Sequence, residues 1–200
     1  MPRARPADIL ARQIDIRQRL WPDLAEPELW SRANEGWIAL PRLMPLMMNI
    51  MDDLSGKGYP VGRTYLELWT RLRDEQFLTL NRPDEMALHA GFEGQRAQRT
   101  WRDRVSRLAD LGFIGLKDGP LGPMSYAVFY NPYHVIKRAF IAGNVQERKW
   151  QALIVRASEL NILDMDQIDH SGALLEREVP KEEEEKKAQK AKKRKRRPPV

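Results

Sequence analysis

Residues 85–132 read EMALHAGFEGQRAQRTWRDRVSRLADLGFIGLKDGPLGPMSYAVFYNP, and this stretch decides the fold. It is entered through Asn81-Arg82-Pro83-Asp84-Glu85. Proline suits the first turn of a helix, and the acids suit the positive end of its dipole. That helix is short and ends at Ala90-Gly91. Phe92-Glu93-Gly94 is a tight link, and a longer helix is predicted from about Gln95 to Leu111, with Gly112 as its stop. Phe113–Leu116 and Ser125–Tyr130 alternate apolar and polar residues. Lys117-Asp118-Gly119-Pro120-Leu121-Gly122-Pro123 stands between them, which predicts a β-hairpin with an extended turn. Asn131-Pro132 closes the unit.

Working outward, the N-terminal side adds a helix and a short strand. From Pro41 to Leu54 the apolar residues Leu43, Leu46/Met47, Ile50/Met51 and Leu54 share a helical stripe. Ser55-Gly56-Lys57-Gly58 stops it. Thr64, with Glu67 three residues on, matches a capping box. The helix it would start carries Tyr65, Leu68, Trp69 and Leu72 on one face, and Phe77–Leu80 is a strand candidate. Residues 1–35 are expected to be a partly ordered arm, docked or frayed, in which Ile9, Leu10, Ile14 and Leu20 recur loosely enough for a short helix over 8–20. On the C-terminal side a helical pattern covers 133–160, with a break at Gly143-Asn144. Residues 161–180 are expected to be a linker. Residues 181–200 are low in complexity and too polar to offset chain entropy, so a disordered charged tail is expected there. No internal repeat is present.

In order, then, come helix, strand, short helix, tight turn, longer helix and hairpin. Together with the quoted residues, and above all Leu108-Ala109-Asp110-Leu111-Gly112-Phe113-Ile114 at the passage from helix to strand, this order resembles the prokaryotic winged helix-turn-helix DNA-binding family. The whole chain also resembles uncharacterised winged-helix proteins carried by bacterial plasmids. The match to the winged helix-turn-helix family covers roughly a third of the chain. It implies a mainly α fold with a small β-hairpin wing: a winged helix over 63–132 inside a domain of 36–160 with flanking helices. It also implies that the second helix of the pair lies in the DNA major groove and that the wing touches neighbouring backbone or minor groove.

The residues of the longer helix support a nucleic-acid reading on their own. At 100° per residue, Ala97, Trp101, Val105 and Leu108 fall within roughly 80° of one another. Gln95, Arg99, Arg102, Asp103 and Ser106 lie opposite, with Arg96 and Arg107 flanking. Arginine suits guanine edges and phosphate, glutamine suits adenine, and serine suits either. The N-terminal part of a recognition helix reaches the bases, which selects Gln95, Arg96, Gln98, Arg99 and Arg102, with Ser106 further along. The bland alternative is a solvated arginine face in which Asp103 pairs with Arg99 or Arg107 at helical spacing. Lys117 is the only basic residue of the hairpin, so the wing is poorly charged for phosphate. Arg63, beside the predicted cap, is either a phosphate contact at a helix N-terminus or a plain surface arginine.

Charge is divided unevenly. Ten of the 34 Lys and Arg and four of the 28 Asp and Glu fall in 181–200, so the tail carries the whole net +6 and the other 180 residues balance. Lys192, Lys193, Arg194, Lys195, Arg196 and Arg197 make a sequence-independent polyanion binder by charge density. The other reading of this run is a solubility tail. KKRKRR would read as nuclear import in a eukaryotic cell.

Other classes lose ground. There is no cysteine, which excludes disulfides, thiolate metal sites and a cysteine nucleophile. The run Trp37–Met51 is broken by Pro41, Arg42, Pro45 and Asn49 and is too short to span a bilayer. The Arg-rich N-terminus carries Asp8 and Asp15, unlike a transit peptide, and has no apolar secretion segment. Gly56-Lys57-Gly58 lacks a phosphate-loop pattern. His89, His134 and His170 are far apart, and Asp164, Asp166 and Asp169 lack the glycine and glutamate of a calcium loop. Asp52-Asp53 is expected to face water. Trp69 and Trp101 sit on apolar stripes, while Trp21, Trp30, Trp37 and Trp150 stay open.

The expectation is therefore a non-enzymatic, cytoplasmic, nucleoid-associated protein with no cofactor, no metal, no membrane contact and no evident small-molecule substrate. Its partner would be double-stranded DNA, read in sequence, for transcriptional control or for replication or maintenance of a plasmid or other mobile element. The run Met44, Met47, Met48, Met51 and the long helix near Trp150 suggest a homodimer. The alternative is a winged-helix protein-docking module of a larger complex, with the tail giving only non-specific nucleic-acid binding.

Overall fold

Pro6–Leu20 forms the first helix, α1, with Arg19 paired to Asp15 one turn earlier. It belongs to a first unit, residues 1–39, in which Ile14, Ile16, Leu20, Trp21 and Trp37 are exposed. A second unit, residues 40–200, holds the core. The computed structural model describes residues 6–23, 25, 28–29, 35–73, 75–120 and 122–175. The tail expected at 181–200, and Trp30, lie outside the described residues.

In the second unit the helices are α2 (Met44–Ser55), α3 (Gly62–Thr70), α4 (Pro83–His89), α5 (Ala97–Asp110), α6 (Pro132–Ile141) and α7 (Glu147–Glu159). The strands are β1 (Phe77–Thr79), β2 (Ile114–Gly119) and β3 (Gly122–Phe129). They form an antiparallel sheet in the order β1-β3-β2. Leu78 pairs with Ala127, and Ala127 with Leu116, so one row of the sheet faces the helices. The unit is thus mainly helical with a small three-stranded sheet, and helix, strand, helix, helix and hairpin follow one another as the sequence predicts.

The two helices at the centre end on glycine for a stated reason. Gly91 and Gly112 have φ of +81° and +80°. After α4, Gly91 N–H donates to Leu88 O and Phe92 N–H to Ala87 O; after α5, Gly112 donates to Ala109 O and Phe113 to Leu108 O. Each pair satisfies orphan carbonyls only if the glycine is left-handed, where a Cβ is unfavourable. Phe113 then starts inside the core, fully buried against Tyr65 at 6.0 Å between rings. Tyr65 also meets Phe129 at 5.4 Å and Trp69 at 5.8 Å, and this aromatic cluster joins α3 to the sheet. Trp101, Val105 and Leu108 are buried from α5, as the wheel places them.

Several expectations are corrected. The capping box at Thr64 does not form. The helix starts at Gly62, Thr64 is buried within it, and the cap comes from Asp52 of α2. Asp52 Oδ1 accepts from Val61 N–H at 2.6 Å and Gly62 N–H at 2.7 Å. Its neighbour Asp53 pairs with Lys149 Nζ of α7 at 2.5 Å, so this acidic pair is not simply facing water. The hairpin is tighter than expected: strand pairing runs on to Gly119–Gly122, with an irregularity between Lys117 and Gly119. The segment expected to be a linker over 161–180 is hydrogen-bonded back on itself as far as residue 175, where Ile168 pairs with Leu174. A 3-10 turn at Asp164–Gln167 seats Met165, and Ile168 follows, both buried. Lys137 Nζ donates to Met165 O at 2.8 Å and Ile168 O at 2.6 Å. Met44, Met47 and Met51 are buried inside their own chain, and Trp150 stacks on Phe140 at 4.2 Å.

Candidate nucleic-acid interface

The outer face of α5 is built by its own stripe: once Trp101, Val105 and Leu108 are buried, the residues opposite must face out. Arg96 is the N-cap residue and is exposed, as are Gln95 and Arg99; Gln98 and Arg102 are half-buried. Among the described residues, none of these five side chains makes a hydrogen bond or ion pair. Asp103 is exposed and forms no ion pair with Arg99 or Arg107, so the self-neutralised face does not arise.

The other two arginines of α5 do something else. Arg104 places its guanidinium 3.4 Å over the Tyr59 ring, with Nη2 3.5 Å from Gly58 O. Arg107 Nη2 donates to Leu54 O at 3.0 Å. Both fasten α5 to the corner between α2 and α3. Beside them lies an open cleft of about 510 Å³ lined by Lys57, Asp103, Ser106, Arg107 and Asp110 among others. Its mixed charge does not favour an anion.

Three predicted residues lie off that face. Ser106 is half-buried, and its Oγ sits 3.7 Å from Met124 Sδ of β3, so it is turned towards the hairpin. Lys117 is exposed but stands on the outer surface of the sheet opposite Tyr126, not at the hairpin tip. Asp118 beside it accepts from Met124 N–H at 3.0 Å. Arg63 is exposed in the first turn of α3. A Cβ on Gly91 would collide with its guanidinium, which places Arg63 at the turn between α4 and α5. There it lies beside the carbonyl end of α4, where a cation is favoured.

A charge cluster around the buried Glu67, missed in the sequence, fixes how α4 is held. Glu67 is buried and pairs with Arg71 Nε. Arg71 Nη1 also reaches Glu85 Oε1 at 3.1 Å, and Nη2 lies 2.9 Å from His89 Nδ1. Burial pushes the Glu67 carboxyl above its ordinary value, and Arg71 opposes that. The spacing Glu67–Arg71 is a plain i,i+4 pair; nothing in it announces a third and fourth partner from α4.

The described residues hold no cluster of His, Asp or Glu that could bind a metal ion, and no helix long and apolar enough to cross a membrane. The chain matches no family model, no curated protein and no solved structure.

Proposed function

We propose that this chain is a sequence-reading, double-stranded DNA-binding protein of the winged-helix class. In this reading α4 and α5 are the helix-turn-helix, α5 enters the major groove, and the β2–β3 hairpin is the wing. Its role would be transcriptional control, or control of replication or maintenance of a plasmid or other mobile element, in the cytoplasm at the nucleoid. One observation carries it: Gln95 and Arg96 at the entry to α5, and Gln98, Arg99 and Arg102 in its first half, make no side-chain hydrogen bond or ion pair, while Arg104 and Arg107 of the same helix are tied down. Arginine and glutamine there match the base-edge and phosphate chemistry of the major groove. Arg63 at the α4–α5 turn adds a backbone contact on this reading.

The second reading, a protein-docking module, draws on the hairpin: its only lysine is away from the tip, and residues 1–180 carry no net charge. A salt-titrated anisotropy assay on duplex DNA enriched from random sequence separates the two. The chains compared are the full protein, residues 1–180, and Arg99→Ala/Arg102→Ala. The proposal expects 1–180 to keep its site preference and the double variant to lose it. Loss of two phosphate contacts flattens the log–log salt slope by about 1.8. If no site enriches and binding vanishes with the tail, the docking reading stands instead.

A further inference from the structure

The run Tyr126-Ala127-Val128-Phe129-Tyr130, the end of β3 and the residue after it, is apolar or aromatic at every position. A sheet with one face on the core should alternate. Ala127 and Phe129 are buried, whereas Val128 is exposed and Tyr130 is 50% exposed. Across the sheet from Val128 stands Phe77, also 50% exposed, and its ring stacks on Tyr126 at 5.6 Å with planes 28° apart. The outer surface is therefore a patch of rings: Phe77, Tyr126 and Tyr130 around Val128.

β2 is shaped to leave those rings room. A Cβ on Gly115 would lie 2.6 Å from Tyr130 Oη, and one on Gly119 would lie 2.5 Å from Tyr126 Cε2. Two glycines thus let two tyrosines lie across the sheet. The polar residues in the same rows are Thr79 and Lys117, both opposite Tyr126. No acid stands in these rows, and the nearby Asp118 is bonded into the hairpin.

We infer that this outer sheet face is a stacking platform for unpaired bases, a single-stranded nucleic-acid site separate from the α5 face. Flat π-faces with hydroxyls and one lysine complement a flat, polar, anionic ligand. An apolar partner helix would call for contoured aliphatic side chains, and Val128 is the only one in the patch. Tyr126 and Tyr130 flank Val128 on alternate positions, each step roughly 7 Å, about two base-stacking distances. Aromatic stacking tolerates any sequence, and the lysine takes the backbone. The inference does not rest on the duplex reading.

The test uses the full chain and a labelled oligothymidylate, with affinity measured by anisotropy across a salt series. Phe77→Ala and Tyr130→Ala are each expected to weaken binding at least about fivefold. The salt slope should stay unchanged, because stacking releases no counterions. Phe77→Trp should keep the affinity, and its added fluorescence should be quenched by the oligonucleotide. Duplex binding should be unmoved by these changes, just as Arg99→Ala/Arg102→Ala should leave single-strand binding unmoved, so either reading can fail alone. Equal affinity of the alanine variants at every salt concentration, or no quenching of the indole introduced by Phe77→Trp, overturns the inference. A mass in light scattering that drops in the alanine variants, with oligonucleotide affinity intact, would instead mark the face as a contact between protein chains.

Discussion

Gly91 is the residue at which the candidate interface and the backbone meet. Its φ of +81° closes α4, and the space where its Cβ would stand is filled by the Arg63 guanidinium. Gly91→Ala should cost roughly 1–2 kcal/mol, the penalty of a left-handed L-residue. The collision itself adds little, because the far end of an exposed arginine can swing away. Urea unfolding of Gly91→Ala and of Gly91→Ala/Arg63→Ala should therefore give the same loss. If the double variant regains stability, the contact with Arg63 and not the backbone sets the cost. The glycines that stop α4 and α5 were legible because only glycine is at ease there. Asp52 was not. Its partners, the N–H groups of Val61 and Gly62, lie nine and ten residues on, across a loop of unknown path. The available signal was negative: two acids in the last turn of α2 oppose its dipole and need another reason to be there.

Among the elements, α3 and α4 are clamped by one arginine. Arg71 serves Glu67, Glu85 and His89, and its charge is the main one opposing the burial of Glu67. Arg71→Ala should cost about 3 kcal/mol or more at neutral pH, since it strands a buried carboxylate. Glu67→Gln in that background should restore much of the loss. The pH dependence has a definite sign. Burial raises the Glu67 value, and without Arg71 nothing in the pair offsets it. A folded value above the unfolded one gives stability that is present below the ordinary carboxylate range and lost as pH rises through the raised value. The deficit of Arg71→Ala should therefore shrink on acidification; a deficit that is constant between pH 4 and 7 would refute the clamp. Element order was readable from periodicity and turn residues, but partners between elements were not. The wheel placed Arg99, Arg102 and Ser106 on one face, yet only the packing of β3 shows that Ser106 is covered by Met124. Likewise the wheel puts Arg107 on the flank of the outer face, and only the structure shows it bonded to Leu54 O, with Arg104 stacked over Tyr59 beside it.

For the whole molecule, the boundary of the folded body moves. The sequence suggests a linker over 161–180, where no helical or strand pattern stands out and three acids, Asp164, Asp166 and Asp169, fall close together. Two of these acids have partners: Asp164 Oδ1 accepts from Asn131 Nδ2, at the start of α6, at 2.7 Å, and Asp169 Oδ1 accepts locally from Ser171 and Ala173 N–H at 2.8 and 2.9 Å. Asp166 is exposed on the 3-10 turn, where it leaves the apolar pair free to turn inward. Those bonds fold the segment back so that Met165 and Ile168 are buried, with Lys137 holding their carbonyls. Packing against α3, α6 and α7 likewise buries Met44, Met47 and Met51 of α2, a run that in sequence suggests a surface for a second copy. A chain ending at 160 gives up two buried apolar side chains, about 3–6 kcal/mol together, and leaves the Lys137 ammonium without those acceptors. That is a large share of the roughly 5–15 kcal/mol typical of a domain. Residues 1–180 should therefore unfold in urea at the same midpoint as the full chain, while residues 1–160 should unfold far earlier or fail to fold. Equal midpoints for all three chains would show that the segment after α7 adds nothing to the body, and that the candidate faces on α5 and the sheet stand on the helices and strands alone.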